Sequence, residues 1–225
     1  MQLEQIRAGA GLDLALKAGL HWVRFVTLQW DKIEPQRTDP PTYQWETVDE
    51  ASLREAARRG LKVIAVVQFT PEWAQAVPGS FCGPIRAQAY ADLDRFLRAA
   101  VSRYSAAPYQ VRYWELGNEP DVDPTLVQPR SVFGCWGDAA DEYYGGRAYA
   151  QMLKVAYPAI KAADPRALVL NGGLLLDRPS GGNDTSPRFL EGILEGGGGD
   201  YFDILSFHAY SAYQASPWQM GNPAW

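Results

Sequence analysis

The sequence predicts an α/β protein in which short buried strands alternate with longer amphipathic helices. Five runs rich in β-branched and aromatic residues have the length of strands: residues 22–28, 61–69, 111–116, 167–171 and 202–207. They are largely apolar, as in VIAVV at residues 63–67, which is typical of a parallel sheet covered on both faces. Helix-length segments separate the runs, as expected for successive βα units.

Two of the helical segments carry apolar residues three or four positions apart. One stripe lies within residues 90–104 and a second within residues 149–160, and this spacing places the apolar side chains on one helix face. The second helix is predicted to end before Pro165, because proline disfavours helical backbone at the preceding residue. A shorter helix is predicted after Ser186 and Pro187, which suit the N-cap and the first helical position.

The composition is that of an ordinary globular domain and limits the classes of partner. The 225 residues are 47% hydrophobic and 21% charged, with 8 Trp, 12 Tyr and 8 Phe, which argues against disorder. A net charge of −5 argues against a nucleic-acid partner, which would need a basic face. The apolar runs are far shorter than the roughly 20 residues of a membrane helix, so no membrane partner is expected. Because no linker divides the chain, residues 1–225 are predicted to be one domain.

The two cysteines, Cys82 and Cys135, both lie in sequence contexts typical of loops. Neither has the spacing of a metal ligand, so no metal site is predicted. A disulfide between them is favoured over two free thiols. Since disulfides persist in oxidising compartments, this favours an exported protein over a cytoplasmic one.

Two α/β architectures fit the alternation of strands and helices, a barrel and an open doubly wound sheet. A doubly wound nucleotide-binding domain usually has a glycine-rich turn after its first strand. Here residues 29–35 read QWDKIEP, and the glycine pair at residues 172–173 is too isolated to be a phosphate loop. Residues capable of chemistry instead follow several strands, as on the C-terminal face of a barrel. A partial barrel is therefore predicted, with the open-sheet nucleotide binder as an alternative.

The strongest functional signal is the segment YWELGNEPD at residues 113–121. Its strand ends near Leu116, and an Asn-Glu pair follows at the C-terminal edge before Pro120 turns the chain. Aromatic neighbours would shield the carboxyl group of Glu119 and disfavour its charged form, which suits a general acid. The amide of Asn118 can both donate and accept a hydrogen bond, which suits a sugar hydroxyl.

This segment resembles the acid/base motif on the fourth strand of retaining glycoside hydrolases of clan A. These enzymes are (β/α)8 barrels, also called TIM barrels, and include families 5 and 39. Residues 22–45 are similar to the second-strand region of these enzymes, residues 61–74 to the third and residues 202–210 to the sixth. The resemblance covers nearly the whole chain. It implies a partial barrel covering roughly strands two to six.

The resemblance implies a role for individual residues. Glu119 would be the acid/base, and Asn118 would bind the 2-hydroxyl of the reacting sugar. Arg24 would lie beside the nucleophile and hold it ionised. His208 and Tyr210 would line the catalytic pocket.

The implied substrate is a β-linked oligo- or polysaccharide, hydrolysed with retention and without a metal or organic cofactor. Trp30 and Trp73 are candidates for stacking on sugar faces. The alternative hypothesis is that the chain is a non-catalytic carbohydrate-binding or regulatory barrel.

The chain departs from the family pattern at the nucleophile, which in clan A is a glutamate at the end of strand seven. The sequence contains no strand-like run after residue 207, and its start resembles the first helix rather than the first strand. We therefore expect a fragment, truncated at both ends and with little activity of its own. Glu115, Glu72 and Asp177 are further carboxylates near strand ends, but none is favoured as a substitute.

Overall fold

The computed structural model describes residues 12–127, 133–175 and 188–208. Within these residues, four parallel strands pair in the order β1-β2-β3-β4. They are β1 Trp22–Gln29, β2 Lys62–Gln68, β3 Tyr113–Asn118 and β4 Leu168–Gly173. Four of the five predicted strands are thereby confirmed. Tyr210, Asp177, Ser186 and Pro187 lie outside the described residues.

The order of the strands follows the order of the chain. A doubly wound sheet reverses its strand order at the point where ligands bind, whereas here each new strand is added on the same side of the sheet. This topology confirms the α/β prediction of a partial barrel and leaves the described sheet without the switch point of an open nucleotide-binding fold.

The fifth predicted strand, residues 202–207, is corrected by the structure. Within the described residues it forms only isolated parallel bridges to Leu170 and Leu174. Side chains replace part of the backbone ladder: Asp203 accepts a hydrogen bond from Val169 N (2.8 Å), and Asn171 binds the backbone of Ser206 through both ends of its amide. The segment therefore runs beside β4 without forming a regular strand.

Six α-helices flank the sheet within the described residues. They are α1 Leu12–Lys17, α2 Trp30–Ile33, α3 Glu50–Arg58, α4 Tyr90–Tyr104, α5 Gly146–Ala163 and α6 Phe189–Glu195. Short 3₁₀ helices span Trp45–Thr47, Glu72–Ala74, Ala87–Ala89 and Pro124–Leu126. The predicted apolar stripes are confirmed, because Phe96 and Leu97 of α4 and Tyr149 and Leu153 of α5 are all buried. Helix α5 ends before Pro165, as predicted.

The core lies on both sides of the sheet. Val63, Ala65 and Val66 of β2 are all buried although they point to alternate faces, which confirms the interpretation of the apolar runs. Trp114 of β3 is fully buried. No helix among the described residues has the length and apolar character needed to cross a membrane.

Because the strands are parallel, their C-terminal ends meet at one edge. Asn118 at the end of β3 pairs with Gly173 at the end of β4, and Gln29 pairs with Gln68 at the ends of β1 and β2. The residues that follow these strands are therefore brought together at this edge.

Candidate active site

Glu119 lies at this edge in a backbone conformation that few residues adopt. Its φ is 52°, and Gly117 two residues earlier has a φ of 89°. A non-glycine residue in the left-handed region costs of order 1–3 kcal/mol and is common at functional sites. The turn is fixed by a hydrogen bond from Glu119 N to Gly173 O (3.0 Å). Only 3% of the residue is exposed.

The two carboxyl oxygens of Glu119 have different surroundings. Oε1 lies 2.7 Å from Nδ1 of His208, so the structure places His208 beside Glu119, and its role in a catalytic pocket stays a prediction. Oε2 is buried and has no hydrogen-bond partner among the residues that the structure describes. One oxygen thus contacts an imidazole, and the other makes no hydrogen bond within the described part of the chain.

Arg24, Glu115 and Asn118 form a second cluster beside Glu119. The guanidinium of Arg24 makes a bidentate pair with Glu115, with Nε 2.6 Å from Oε2 and Nη2 3.0 Å from Oε1. The same Nη2 donates to Asn118 Oδ1 (2.8 Å). This contact identifies the oxygen end of the amide, so Nδ2 is its donor end. In the described part of the chain the carboxylate partner of Arg24 is Glu115, and a position beside the nucleophile stays a prediction.

The loop after β3 holds the backbone on which Glu119 lies. Gly134 N donates to Glu119 O (3.3 Å), and Trp136 N donates to Pro120 O (2.7 Å). Between them, Cys135 is joined to Cys82 by a disulfide with a Cα–Cα distance of 5.1 Å. The disulfide therefore ties the loop after β2 to the loop that supports the Glu119 turn.

The two tryptophans predicted to stack on sugar differ in their surroundings. The ring of Trp30 packs on Phe96 and Trp73, with centroids 5.4 and 5.5 Å away, and only 2% of the residue is exposed. The structure corrects the stacking prediction for Trp30, because its ring is covered by protein. Trp73 is half-buried and donates its indole N–H to Glu34 O (3.0 Å), and its stacking role stays a prediction.

Glu34 belongs to this aromatic cluster and was not singled out by its sequence context. It is 1% exposed and accepts a hydrogen bond from Trp30 Nε1 (2.7 Å). Burial raises the pKa of its carboxyl group, with a further contribution from the nearby Asp92. A cavity of about 50 Å³ lies beside Trp30 and has room for a water molecule.

Asp121 is a further site residue that sequence reasoning missed. It is fully buried, and both carboxylate oxygens lie 3.0 Å from the backbone N–H of Leu175, which donates to them. This bond holds the segment after β4 against the Glu119 turn. The available signal was its position within the NEPD motif, two residues after Glu119. No cluster of three or more potential metal ligands occurs in the described ranges.

No family model matches the sequence, and no curated protein matches it. Several solved glycoside hydrolases are similar in structure. A family 39 glycoside hydrolase from Bacteroides cellulosilyticus WH2 has a TM-score of 0.58 at 20% identity, over 92% of this chain and 35% of that one. A GH39 β-xylosidase from Caulobacter crescentus has a TM-score of 0.58 at 20% identity, over 92% of this chain and 44% of that one.

The endoglucanase Cel5A from Thermotoga maritima has a TM-score of 0.55 at 17% identity, and the match covers 97% of this chain and 57% of that one. The chain thus spans between 35% and 57% of the length of these three proteins. At identities this low the likeness concerns the fold. The chain therefore has an α/β fold similar to part of the TIM barrels of these glycoside hydrolases.

Proposed function

We propose that the protein is an O-glycosyl hydrolase that cleaves β-linked oligo- or polysaccharides with retention and uses Glu119 as its acid/base. The observation that carries this proposal is the environment of the Glu119 carboxyl group. It is buried at the C-terminal edge of the sheet, with Oε1 held by His208 and Oε2 without a partner among the described residues. The similar solved structures, which include a β-xylosidase and an endoglucanase, support the proposal through their fold.

A retaining glycosidase needs two carboxyl groups about 5–5.5 Å apart. In the first step Glu119 Oε2–H protonates the glycosidic oxygen while the nucleophile attacks the anomeric carbon. The C–O bond to the leaving group breaks, and a glycosyl-enzyme ester forms. In the second step the Glu119 carboxylate takes a proton from water while the water oxygen attacks the anomeric carbon. The bond from this carbon to the nucleophile's carboxylate breaks, which returns both carboxyl groups to their starting states.

The neighbouring residues are proposed to bind and orient the sugar. Asn118 would donate from Nδ2 to the 2-hydroxyl, because Arg24 occupies its oxygen. His208 would orient Glu119, and Tyr210 and Trp73 would line the same pocket. These steps use carboxyl and amide groups, so the proposed reaction requires no metal or organic cofactor.

We do not assign Glu115 as the nucleophile, because it lies in the middle of β3 rather than at its C-terminal end. It is fully buried, and its oxygens already accept hydrogen bonds from Arg24 and from Gly173 N. We propose that the nucleophile is a glutamate at the end of a further barrel strand, in a part of the protein outside the described residues.

The substitution Glu119→Gln in the intact protein tests this proposal. Hydrolysis of β-glycosides with sugar or alkyl leaving groups should fall by about 10²–10⁴-fold, the usual contribution of general acid–base catalysis. The glycosylation step with 2,4-dinitrophenyl β-glycosides should be much less affected, because that leaving group departs without a proton. Single-turnover and steady-state rates on xylosides, glucosides and galactosides measure both effects.

Glu195→Gln is the matched control, because Glu195 is exposed at the end of α6. Near-normal turnover of unactivated glycosides by the Glu119→Gln protein would contradict the assignment. Sugar binding by a wild-type protein that hydrolyses none of these substrates would instead support a non-catalytic carbohydrate-binding barrel.

A further inference from the structure

Glu115 is a fully buried carboxylate to which the proposed reaction gives no chemical step. It lies in the middle of β3, and its hydrogen bonds come from three other parts of the chain. Arg24 of β1 donates twice, the backbone N–H of Gly173 in β4 donates at 2.8 Å, and Ser206 Oγ lies at 3.4 Å. A buried charge is costly unless it is paired and hydrogen-bonded, and here both oxygens are satisfied.

The pair with Arg24 fixes the direction of the guanidinium. A bidentate contact holds this planar group more firmly than a single hydrogen bond does. Held in this way, Arg24 Nη2 lies 2.8 Å from Asn118 Oδ1 and donates to it. The orientation of the Asn118 amide therefore depends on Glu115 through Arg24, although Glu115 is three residues away on the same strand.

The bond with Gly173 fixes a second part of the site. Gly173 donates its N–H to Glu115, and its carbonyl accepts the hydrogen bond from Glu119 N (3.0 Å). The imidazole of His208 packs directly against the Cα of Gly173, so closely that a Cβ there would lie 2.6 Å from His208 Cδ2. One residue of β4 thus connects Glu115 to the backbone of Glu119 and to the ring of His208.

We propose that Glu115 is a positioning residue of the proposed glycosidase. Its carboxylate orients the Asn118 amide through Arg24 and anchors Gly173, on which the Glu119 turn and His208 rest. This inference depends on the proposed function, since it assigns Asn118 to the 2-hydroxyl of the reacting sugar. In this role Glu115 acts neither as the acid/base nor as the nucleophile.

The test compares a β-glycoside with its 2-deoxy analogue in the intact protein. Glu115→Gln keeps the shape of the side chain but loses one acceptor, so it cannot accept all three hydrogen bonds that Arg24 and Gly173 donate. We expect kcat/KM on the parent glycoside to fall by about 10- to 100-fold, as for a misplaced site group. On the 2-deoxy substrate the loss should be several-fold smaller, because that substrate offers no hydroxyl to Asn118.

Two further variants keep the test decisive. In the double variant Glu115→Gln/Asn118→Ala, the losses on the parent glycoside should be non-additive, as expected for residues acting through one contact. If Glu115→Gln does not fold, Glu115→Asp keeps the charge beside Arg24 but shortens the side chain by one methylene group, which breaks the bidentate contact. The same selective loss is expected from it.

The positioning role of Glu115 would be overturned if kcat/KM fell equally on the two substrates or did not fall at all. It would also be overturned if the losses from Glu115→Gln and Asn118→Ala were additive. The proposed function would survive these results as long as Glu119→Gln still abolishes hydrolysis of unactivated glycosides. A wild-type protein that hydrolyses neither substrate would overturn both proposals together.

Discussion

At the scale of single residues, the contact between Gly173 and His208 decides where the imidazole lies. Only a residue without Cβ leaves room for the ring at this distance. The ring in turn is what holds Oε1 of Glu119. The site therefore depends on a glycine that has no chemistry of its own.

Gly173→Ala is expected to push the His208 ring away from Glu119. Because misplacement of a catalytic group by about 1 Å can cost 10²-fold, we expect kcat to fall by up to about 100-fold while the fold is kept. Steady-state kinetics and thermal unfolding of the intact protein measure the two effects. Gly199→Ala is the control, since its new methyl group would meet only the flexible side chain of Leu194. Unchanged kcat in the Gly173→Ala protein would show that the position of His208 does not contribute to turnover.

Glu34 makes the stability of the folded protein depend on pH. Burial raises its pKa in the folded protein, so the folded state binds this proton more tightly than the unfolded state does. Stability is therefore lost as the pH rises from the ordinary glutamate pKa through the raised folded value. Glu34→Gln, whose amide oxygen still accepts from Trp30, should raise the melting temperature at neutral pH.

The stabilisation by Glu34→Gln should shrink as the pH falls, because acid protonates the wild-type Glu34 in both states. Thermal unfolding of the intact protein between pH 4 and pH 8, at intervals of about one unit, tests the sign. Glu72→Gln, at an exposed position, is the matched control. A gap between wild type and Glu34→Gln that stays constant over this range would show that Glu34 is not the titrating group.

Residue-level prediction from the sequence succeeded where the signal was local. Asn118 and Glu119 are adjacent in one motif, so their joint position at a strand end followed from the sequence. The roles of Glu115 and Gly173 depend on the pairing of β3 with β4, which joins residues 58 positions apart. The predicted sugar-stacking role of Trp30 was wrong, because the neighbouring sequence does not reveal that Phe96, on a helix distant in the chain, covers its ring.

At the scale of elements, the disulfide connects the loops that follow β2 and β3. The segment of residues 134–136 pairs with the Glu119 turn through two backbone hydrogen bonds, and Cys135 lies between them. Cys82 anchors this segment to the preceding loop. The disulfide is thus placed to stabilise both the fold and the position of Glu119.

The double variant Cys82→Ala/Cys135→Ala should be less stable by up to about 4 kcal/mol, the loop-entropy value for this separation. We also expect lower kcat, since the Glu119 turn loses part of its support. Chemical denaturation with and without a dithiol reductant measures the first effect, and the reductant should leave the double variant unaffected. Equal stability of oxidised and reduced wild-type protein would contradict the assigned contribution.

The segment of residues 202–207 shows why element boundaries were less predictable than element order. Its largely apolar sequence predicts a strand, and it does run parallel to β4. The polar side chains Asn171 and Asp203 take backbone hydrogen bonds that a regular ladder would use. Such side-chain competition depends on which strand becomes the neighbour, and a single sequence does not supply that information.

At the scale of the whole molecule, the site is assembled from segments far apart in the chain. Arg24 comes from β1, Glu115 to Glu119 from β3, Gly173 from β4 and His208 from the segment beside it. The sequential strand order brings these segments to one edge of the sheet. The alternation of strands and helices predicted this arrangement, whereas the contacts between the segments could not be predicted from the sequence.

Azide rescue of Glu119→Ala in the intact protein is the sharpest test of Glu119 as the acid/base. With a 2,4-dinitrophenyl β-glycoside the glycosyl-enzyme should form and then accumulate, because no base remains to activate water. Azide needs no base and fits the space left by the carboxyl group, so it should accelerate turnover and give a β-glycosyl azide. The absence of acceleration, or an α-glycosyl azide as product, would contradict the assignment of Glu119 as the acid/base of a retaining glycosidase.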